Sequence, residues 1–199
     1  MRILFTIILL LQFSHLSLGQ ELIYDILVSG KKVGSMMVTK KKVNDMETYY
    51  TSVSEVQYTL FKKMELVYFY EALFKNKKLD KSYFIYKKNG AVEEESKYFW
   101  TPKGYKSSIP EKSLKQKTLL EKSMLHTYFH MPVHREEIFS ERFHDFVRVG
   151  ATEEKGKFIF YIPNGDKSIY YYNDIGICRM VSINAGIISF DMVLTESRN

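Results

Sequence analysis

The chain contains very little cysteine and proline. Its 199 residues include one cysteine, Cys178, and four prolines. A single cysteine has no partner for a disulfide within the chain, so the sequence excludes a small scaffold held together by disulfides. Cys178 lies in a segment where apolar and polar residues alternate, and this position favours a buried structural thiol.

Long apolar runs are also scarce. Residues 3–11 are apolar except for one threonine, they follow the basic Arg2, and the small residue Gly19 comes shortly afterwards. This three-part pattern is typical of a secretory signal peptide, and we predict cleavage between Gly19 and Gln20. The run is shorter than the roughly 20 apolar residues of a membrane-spanning helix. We therefore expect residues 20–199 to be exported, to a periplasm or out of the cell, and not to span a membrane.

The charge excess is mild. The chain has 29 basic and 23 acidic residues, a net charge of +6. Lysines form four scattered pairs and one triplet, most of them where we predict turns. This placement indicates solvated hairpin ends or, alternatively, a surface for anionic lipid or polysaccharide. The pattern of a recognition helix is missing, so we predict no nucleic-acid partner. The length after removal of the leader suits one domain, residues 20–199.

Aromatic residues are abundant, and they follow the period of a β-strand. The sequence has 15 tyrosines and 14 phenylalanines, and apolar residues alternate with polar ones over most of its length. Asn89-Gly90, between two alternating segments, is a strong hairpin signal because both turn positions need a positive φ. The pattern predicts a mainly β fold, a single curved antiparallel sheet or partly open β-barrel of about 10–12 strands.

One segment breaks this alternation. Residues 111–129 contain neither glycine nor proline, Ser113 begins a possible capping box, and Pro132 follows the segment. Apolar or small side chains recur there at helical spacing, at Leu120, Met124, Thr127, Tyr128 and Met131. We predict one α-helix over about 113–131, with the curved sheet wrapped around it.

The segment from Met64 to Lys75 is apolar on both faces. Such a strand is either covered on both sides or lines a cavity, and we keep both interpretations open. In the second case the concave face of the sheet would bind a lipid or another hydrophobic ligand. The aromatic residues that we expect to line this site are Tyr68, Tyr70, Phe74, Tyr128, Phe158 and Phe160.

Two groups of polar residues have side chains of the kinds that bind metals or carry out catalysis. His126, His130 and His134 are spaced four apart, like ligands on one helix face, but Pro132 falls between the last two. Histidines near the C-terminus of a helix also suit its dipole, so we predict no metal site and no cofactor. The run Ser140–Asp145 contains serine, histidine and acids, but triads assemble from separate loops. We therefore predict that Glu141 and Arg142 brace the fold and that the protein is not an enzyme.

Several short motifs resemble those of one family. They are Tyr128-Phe129-x-x-Pro132, Phe139-Ser140-Glu141-Arg142, Asn164-Gly165, Tyr170-x-Tyr172 and, near the start, Gly30-x-x-x-Gly34. Together they resemble an uncharacterised family of exported bacterial proteins, domain of unknown function 6134. The resemblance implies a curved antiparallel sheet around a helix, with these residues in structural roles, and it implies no activity.

That plan is also similar to the plan of periplasmic lipoprotein carriers, which hold acyl chains in a concave face. Two functions therefore remain open at this point. One is binding of a lipid or other hydrophobic ligand, and the alternative is docking of an envelope protein through strand edges or hairpin ends.

Overall fold

The computed structural model describes residues 19–59, 63–115, 119–185 and 188–199. The predicted signal peptide up to residue 18 lies outside this part of the chain. The strands are β1 (Gly19–Val28), β2 (Lys31–Lys42), β3 (Glu47–Thr59), β4 (Lys63–Lys75), β5 (Lys78–Lys88), β6 (Ala91–Thr101), β7 (Gly104–Ser107), β8 (Leu114–Lys115), β9 (Glu137–Ser140), β10 (Asp145–Ala151), β11 (Lys157–Tyr161), β12 (Lys167–Tyr172), β13 (Cys178–Ala185) and β14 (Ile188–Arg198).

All strands belong to one antiparallel sheet. Its order is β8-β7-β6-β5-β4-β3-β2-β1-β14-β13-β12-β11-β10-β9, so sequence neighbours pair throughout, and β1 and β14 join the two halves of the chain. The edge strands are β8 and β9, and the sheet is therefore open. The predicted mainly β fold with an open antiparallel sheet is confirmed, with more strands than the predicted 10–12.

The alternating pattern determines which face of each strand is buried. In β1, Leu22, Tyr24 and Ile26 are buried, whereas the residues between them are partly exposed. The β5–β6 turn has Asn89 and Gly90 at φ values of 50° and 81°, which matches the predicted hairpin. The inward residues of all the long strands thus form one continuous core.

The predicted α-helix over 113–131 is wrong. The described part of this segment contains the two-residue strand β8 and a 3₁₀ helix, Met124–Tyr128, and a further short 3₁₀ helix, Pro110–Lys112, precedes it. No helix among the described residues is long and apolar enough to cross a membrane.

The segment does not form an α-helix because its backbone groups bond to the sheet instead. The Leu79 N–H donates to the Leu120 carbonyl at 2.8 Å, and the Leu125 N–H donates to Glu141 Oε1 at 3.3 Å. Ser123 also forms an isolated bridge with Phe139 of β9. These long-range contacts replace the i→i−4 ladder that helical spacing alone would favour.

The 3₁₀ helix lies on the concave face and packs against β3 and β9. Its His126 ring lies between Tyr50 and Phe74, with both ring centroids 4.3 Å away. Tyr128 contacts the ring of Tyr24 edge-on at 5.7 Å. The 3₁₀ helix therefore fills one part of the concave face with aromatic side chains.

Candidate ligand cavity

A cavity of about 320 Å³ lies on the concave face, beside the 3₁₀ helix. Met124, Leu125 and Tyr128 of that helix form part of its lining. The remaining wall comes mainly from strand segments near the hairpin ends of β1–β4 and β12–β14. The apolar wall residues are Ile26, Met36, Val56, Leu66, Val147, Ile162, Ile183, Phe190 and Met192.

Arg142 lines the polar side of the cavity and forms an ion pair with Glu94. Arg142 and Glu94 are linked in a fork, with Nη2 2.7 Å and Nε 3.0 Å from Glu94 Oε2. The guanidinium carbon also lies 5.4 Å from the centroid of the Phe84 ring and 5.1 Å from that of Phe143. The two aromatic rings and the carboxylate thus hold the Arg142 charge in one orientation.

Glu141 lines the cavity beside this pair and is almost completely buried, with 1% of its surface exposed. Its Oε1 accepts the Leu125 N–H at 3.3 Å, and its Oε2 is enclosed by protein atoms. Burial raises the pKa of the Glu141 carboxyl above its ordinary value. The carboxyl is therefore part of the protein beneath the cavity wall and is not itself exposed to a ligand.

Tyr68 and Tyr70 of β4 add two phenols to the lining. Burial raises the pKa of Tyr68 to about 12, and it raises that of Tyr70 further, although the nearby Arg142 charge opposes both shifts. Tyr68 stacks on Tyr86 at 4.5 Å, and Tyr70 packs on Phe84 at 4.7 Å. Both phenols therefore remain neutral at physiological pH and can donate or accept hydrogen bonds.

The β9–β10 turn, residues 141–144, closes the gap between the two edges of the sheet. Besides the Arg142–Glu94 pair, Ser96 Oγ of β6 donates to the Glu141 carbonyl at 3.2 Å. Tyr98 of β6 packs on His144 with their ring centroids 4.8 Å apart. Side chains and backbone of one turn thus join β6 to the opposite edge of the sheet.

The contact between Ser107 and His144 is the arrangement in this region that most resembles a catalytic serine–histidine pair. Ser107 Oγ lies 2.5 Å from His144 Nδ1. Burial lowers the pKa of His144 to about 4, so the ring is neutral at pH 7. Its Nε2 has no hydrogen-bond partner among the described residues, so no carboxylate orients the ring as in a triad. The Ser107–His144 contact helps to join the two edges of the sheet. It does not have the geometry of a serine nucleophile activated by a triad.

The predicted ligand residues divide into two groups. Tyr68, Tyr70 and Tyr128 line the cavity. The other three lie in the packed core: Phe74 contacts His126, Phe160 stacks on Tyr170 at 4.0 Å, and Phe158 packs edge-on against Tyr172 at 5.8 Å.

Three buried serines of the cavity wall were not among the predicted ligand residues. Ser52 and Ser54 of β3 and Ser168 of β12 are buried and line the cavity. The alternation of β3 contained a signal for two of them, because Ser52 and Ser54 share a face with Tyr50 and Val56.

The family motifs lie in turns and in the core. Gly30 has a φ of 75° in the β1–β2 turn, and Gly165 has a φ of 95° in the β11–β12 turn, where Asn164 Oδ1 accepts the Asp166 N–H at 3.1 Å. Gly34 has no room for a side chain, because a Cβ there would lie 2.0 Å from the Glu55 carbonyl oxygen.

The other motif residues are mostly buried. Tyr128 and Phe129 belong to the buried core beneath the cavity, and Pro132 is also buried. Tyr170 and Tyr172 point inward from β12. Ser140 precedes the β9–β10 turn, and its Oγ accepts the Phe143 N–H at 3.3 Å.

The three spaced histidines have separate partners. His126 lies in the aromatic core, His130 Nε2 lies 3.0 Å from Lys40 Nζ, and His134 Nδ1 accepts the Ala151 N–H at 3.0 Å. In the described ranges, no three histidine, cysteine or acidic side chains are grouped so that they could hold a metal ion.

A second depression of about 390 Å³ lies on the surface near Trp100. Lys75, Lys77 and Lys78 line it, and Lys78 Nζ lies 3.6 Å from the centroid of a Trp100 ring. A lysine therefore already covers the aromatic face that a sugar would need, and the concave cavity is the better candidate for a binding site.

The fold has a relative among solved structures. The crystal structure of a beta-barrel-like protein of domain of unknown function DUF1849 from Brucella abortus has a TM-score of 0.55 with this chain at 12% identity. The match covers 90% of this chain and 96% of that one, and at such low identity it concerns the fold alone. Comparison with curated proteins finds no match.

The sequence also matches a family model, that of a domain of unknown function, DUF6134, over residues 24–195. This match confirms the resemblance drawn from the short motifs. Since it spans nearly the whole described sheet, the chain belongs to the DUF6134 family.

Proposed function

We propose that this protein binds a lipid or another hydrophobic ligand in its concave cavity and has no catalytic activity. The observation that supports this most strongly is the lining itself, a largely apolar wall with a few polar groups gathered near Glu141 and Arg142. A volume of about 320 Å³ falls in the range of ligand sites, roughly 300–1,000 Å³. The proposal also explains why β4 is apolar on both faces, because its inner face lines the cavity.

Native mass spectrometry of protein purified from the organism that naturally produces it tests the proposal. We expect a bound small molecule that organic solvent extracts and that the apo protein takes up again. Protein that is consistently empty, with no lipid in the extract and no saturable uptake of a neutral probe such as N-phenyl-1-naphthylamine, would contradict it.

Neighbouring positions on β3 offer a matched pair of variants. Ser54 faces the cavity, whereas Val53 is 36% exposed on the convex face of the same strand. Ser54→Phe should fill the cavity and abolish probe binding, while Val53→Phe should leave it unchanged. Equal binding by both variants would place the ligand somewhere else.

Export is the second part of the proposal, and its support is the leader pattern of residues 1–19. Expression in the natural host followed by cell fractionation should find the protein in the periplasm or the medium, with Gln20 as its first residue. Full-length protein that keeps Met1 inside the cell would refute it.

A second candidate function is docking of an envelope protein. Cross-strand neighbours on the convex face of β1–β5 form a row of apolar side chains, Ile23, Met37, Val53, Phe69 and Ile85. Met37 is 42% exposed in this row. Crosslinking in the natural host should capture one stoichiometric partner that Met37→Glu releases, and a strictly monomeric isolate would count against this function.

A further inference from the structure

We propose that the cavity selects a single-chain amphiphile with an uncharged, hydroxyl-bearing end, such as a monoacylglycerol, over a fatty acid. This inference rests on the proposed ligand binding and specifies the chemistry at the polar side of the same site. It follows from two features: the charge of Arg142, which Glu94 neutralises, and the serine hydroxyls of β3.

Glu141 is enclosed by protein, with 1% of its surface exposed, and its Oε1 accepts the Leu125 N–H. The hydrogen bonds to a ligand must therefore come from hydroxyl groups that reach the surface of the cavity.

A carboxylate ligand would find no free cation. Arg142 is the one lysine, arginine or histidine among the described lining residues, and Glu94 already binds it in a fork. The lining also includes two acidic residues, Glu141 and Asp166. The carboxylate of a fatty acid would therefore be desolvated beside acidic groups without a compensating charge.

An ammonium end is also disfavoured. Glu141 is almost completely buried, and burial opposes the ionised form that a cation would require as its partner. A buried ammonium without an ionised partner has a large desolvation cost.

Hydroxyl groups complete the surroundings of this polar end. Ser52 and Ser54 are 4% and 8% exposed and line the cavity near Tyr68 and Tyr70. Neutral donors and acceptors of this kind suit a glycerol hydroxyl. The volume of about 320 Å³ is at the lower end of the range for ligand sites, which favours one chain over the two of a phospholipid.

The test is a displacement assay with delipidated protein comprising residues 20–199 at pH 8. N-phenyl-1-naphthylamine serves as the neutral reporter, and 1-myristoylglycerol, myristate and myristylamine compete for it. We expect 1-myristoylglycerol to bind about tenfold or more tightly than either charged analogue, the ratio that one net hydrogen bond supplies. Equal or tighter binding of myristate or myristylamine would overturn the inference while leaving hydrophobic binding intact.

Two variants test the assigned groups separately. Ser54→Ala removes a hydroxyl from the cavity wall and should lower the affinity for 1-myristoylglycerol about tenfold without changing that for myristate, and Val53→Ala on the convex face of the same strand is the matched control. Glu94→Gln removes the partner charge of Arg142 and should also favour myristate. Unchanged preference in both folded variants would refute the inference, and failure of every competitor to displace the reporter would refute the proposed function itself.

Discussion

Arg142 of the β9–β10 turn forms a bidentate ion pair with Glu94 of β6, across the opening between the two edges of the sheet. The residues are 48 apart in sequence, and about a third of each side chain is exposed. Since β9 is one edge strand and β6 lies third from the other edge, no ladder of backbone hydrogen bonds connects them. The ion pair and the contacts beside it therefore hold the two edges together, as pairing between strands would do in a closed barrel.

Breaking this pair should weaken the protein measurably. We expect Arg142→Met and Glu94→Gln each to lower the free energy of unfolding by about 1–3 kcal/mol, because both groups are partly desolvated and the contact is bidentate. Urea unfolding of the two single variants and the double variant gives the coupling energy, which we expect to be about 1 kcal/mol.

The exposed pair Lys155–Asp174 is the control for this cycle. Its side chains are 90% and 87% exposed, so the same cycle there should give a coupling energy near zero. Equal coupling at the two sites would mean that the Arg142–Glu94 pair does not hold the gap closed.

Gly34 and Gly30 should respond differently to alanine. A Cβ at Gly34 would lie 2.0 Å from the Glu55 carbonyl oxygen and 2.8 Å from the Val56 Cα, and backbone atoms of a central strand cannot move aside cheaply. Gly34→Ala should therefore lower the free energy of unfolding by about 3 kcal/mol, at the upper end of overpacking costs.

A Cβ at Gly30 meets open space, but its φ of 75° should make Gly30→Ala cost about 1 kcal/mol. Chemical denaturation of both variants measures the difference, and the reverse order would contradict the close approach of β2 and β3.

Most of the sheet could be predicted from the sequence because a strand's pattern is local. Alternation within β1 reveals its buried face, and the Asn89-Gly90 turn fixes the β5–β6 hairpin without information from elsewhere in the chain. The β1–β14 pairing is different, since it joins residues about 170 apart, and nothing local in either strand specifies it.

The missing helix and the polar side of the cavity depend on long-range contacts. Residues 113–131 have helical spacing, but the Leu120 carbonyl and the Leu125 N–H bond to other parts of the chain. The polar side likewise appears only when the sheet curves far enough to bring Glu94 beside Arg142. Sequence analysis suggested Tyr68 and Tyr70 from their strand alone, whereas the position of the Glu141 oxygen required the folded turn.

Replacement of Glu141 by glutamine should change how stability depends on pH. Because burial raises the pKa of Glu141 in the folded state, the unfolded chain loses this proton at a lower pH than the folded chain. The contribution of Glu141 to stability therefore falls as the pH rises from about 4.5 through its folded pKa. Glu141→Gln, whose amide oxygen can still accept the Leu125 N–H, should raise Tm by about 2–4 °C at pH 8, the effect of roughly 1 kcal/mol.

This gain should shrink as the pH falls to about 4.5 and below, where Glu141 becomes protonated in the unfolded state as well as in the folded state. Thermal unfolding followed by circular dichroism at several pH values measures the trend, with Glu137→Gln as the exposed control. A Tm that is lower for Glu141→Gln at every pH would show that the carboxylate form is favoured in the folded protein.

His126 should make the protein less stable in acid. Its ring is held between Tyr50 and Phe74, and burial lowers its pKa from 6.5 to about 3. Above pH 6.5 the ring is neutral in both states, but between pH 6.5 and 3 the unfolded chain takes up a proton that the folded chain excludes. The free energy of unfolding therefore falls as the pH drops through this window, and His144, with a pKa of about 4, adds to the same trend.

His126→Phe keeps a ring between Tyr50 and Phe74 but cannot take up a proton. The variant also loses the hydrogen bond from the Ser123 N–H to His126 Nδ1, so we expect it to be slightly less stable at pH 8. Its Tm should nevertheless fall less steeply than that of the wild type between pH 6.5 and 4, because the side chain at position 126 no longer takes up a proton on unfolding. Replacement of the exposed His134 by phenylalanine should leave the slope unchanged. An identical slope for His126→Phe and the wild type would mean that protonation of this ring has no part in the acid sensitivity of the core.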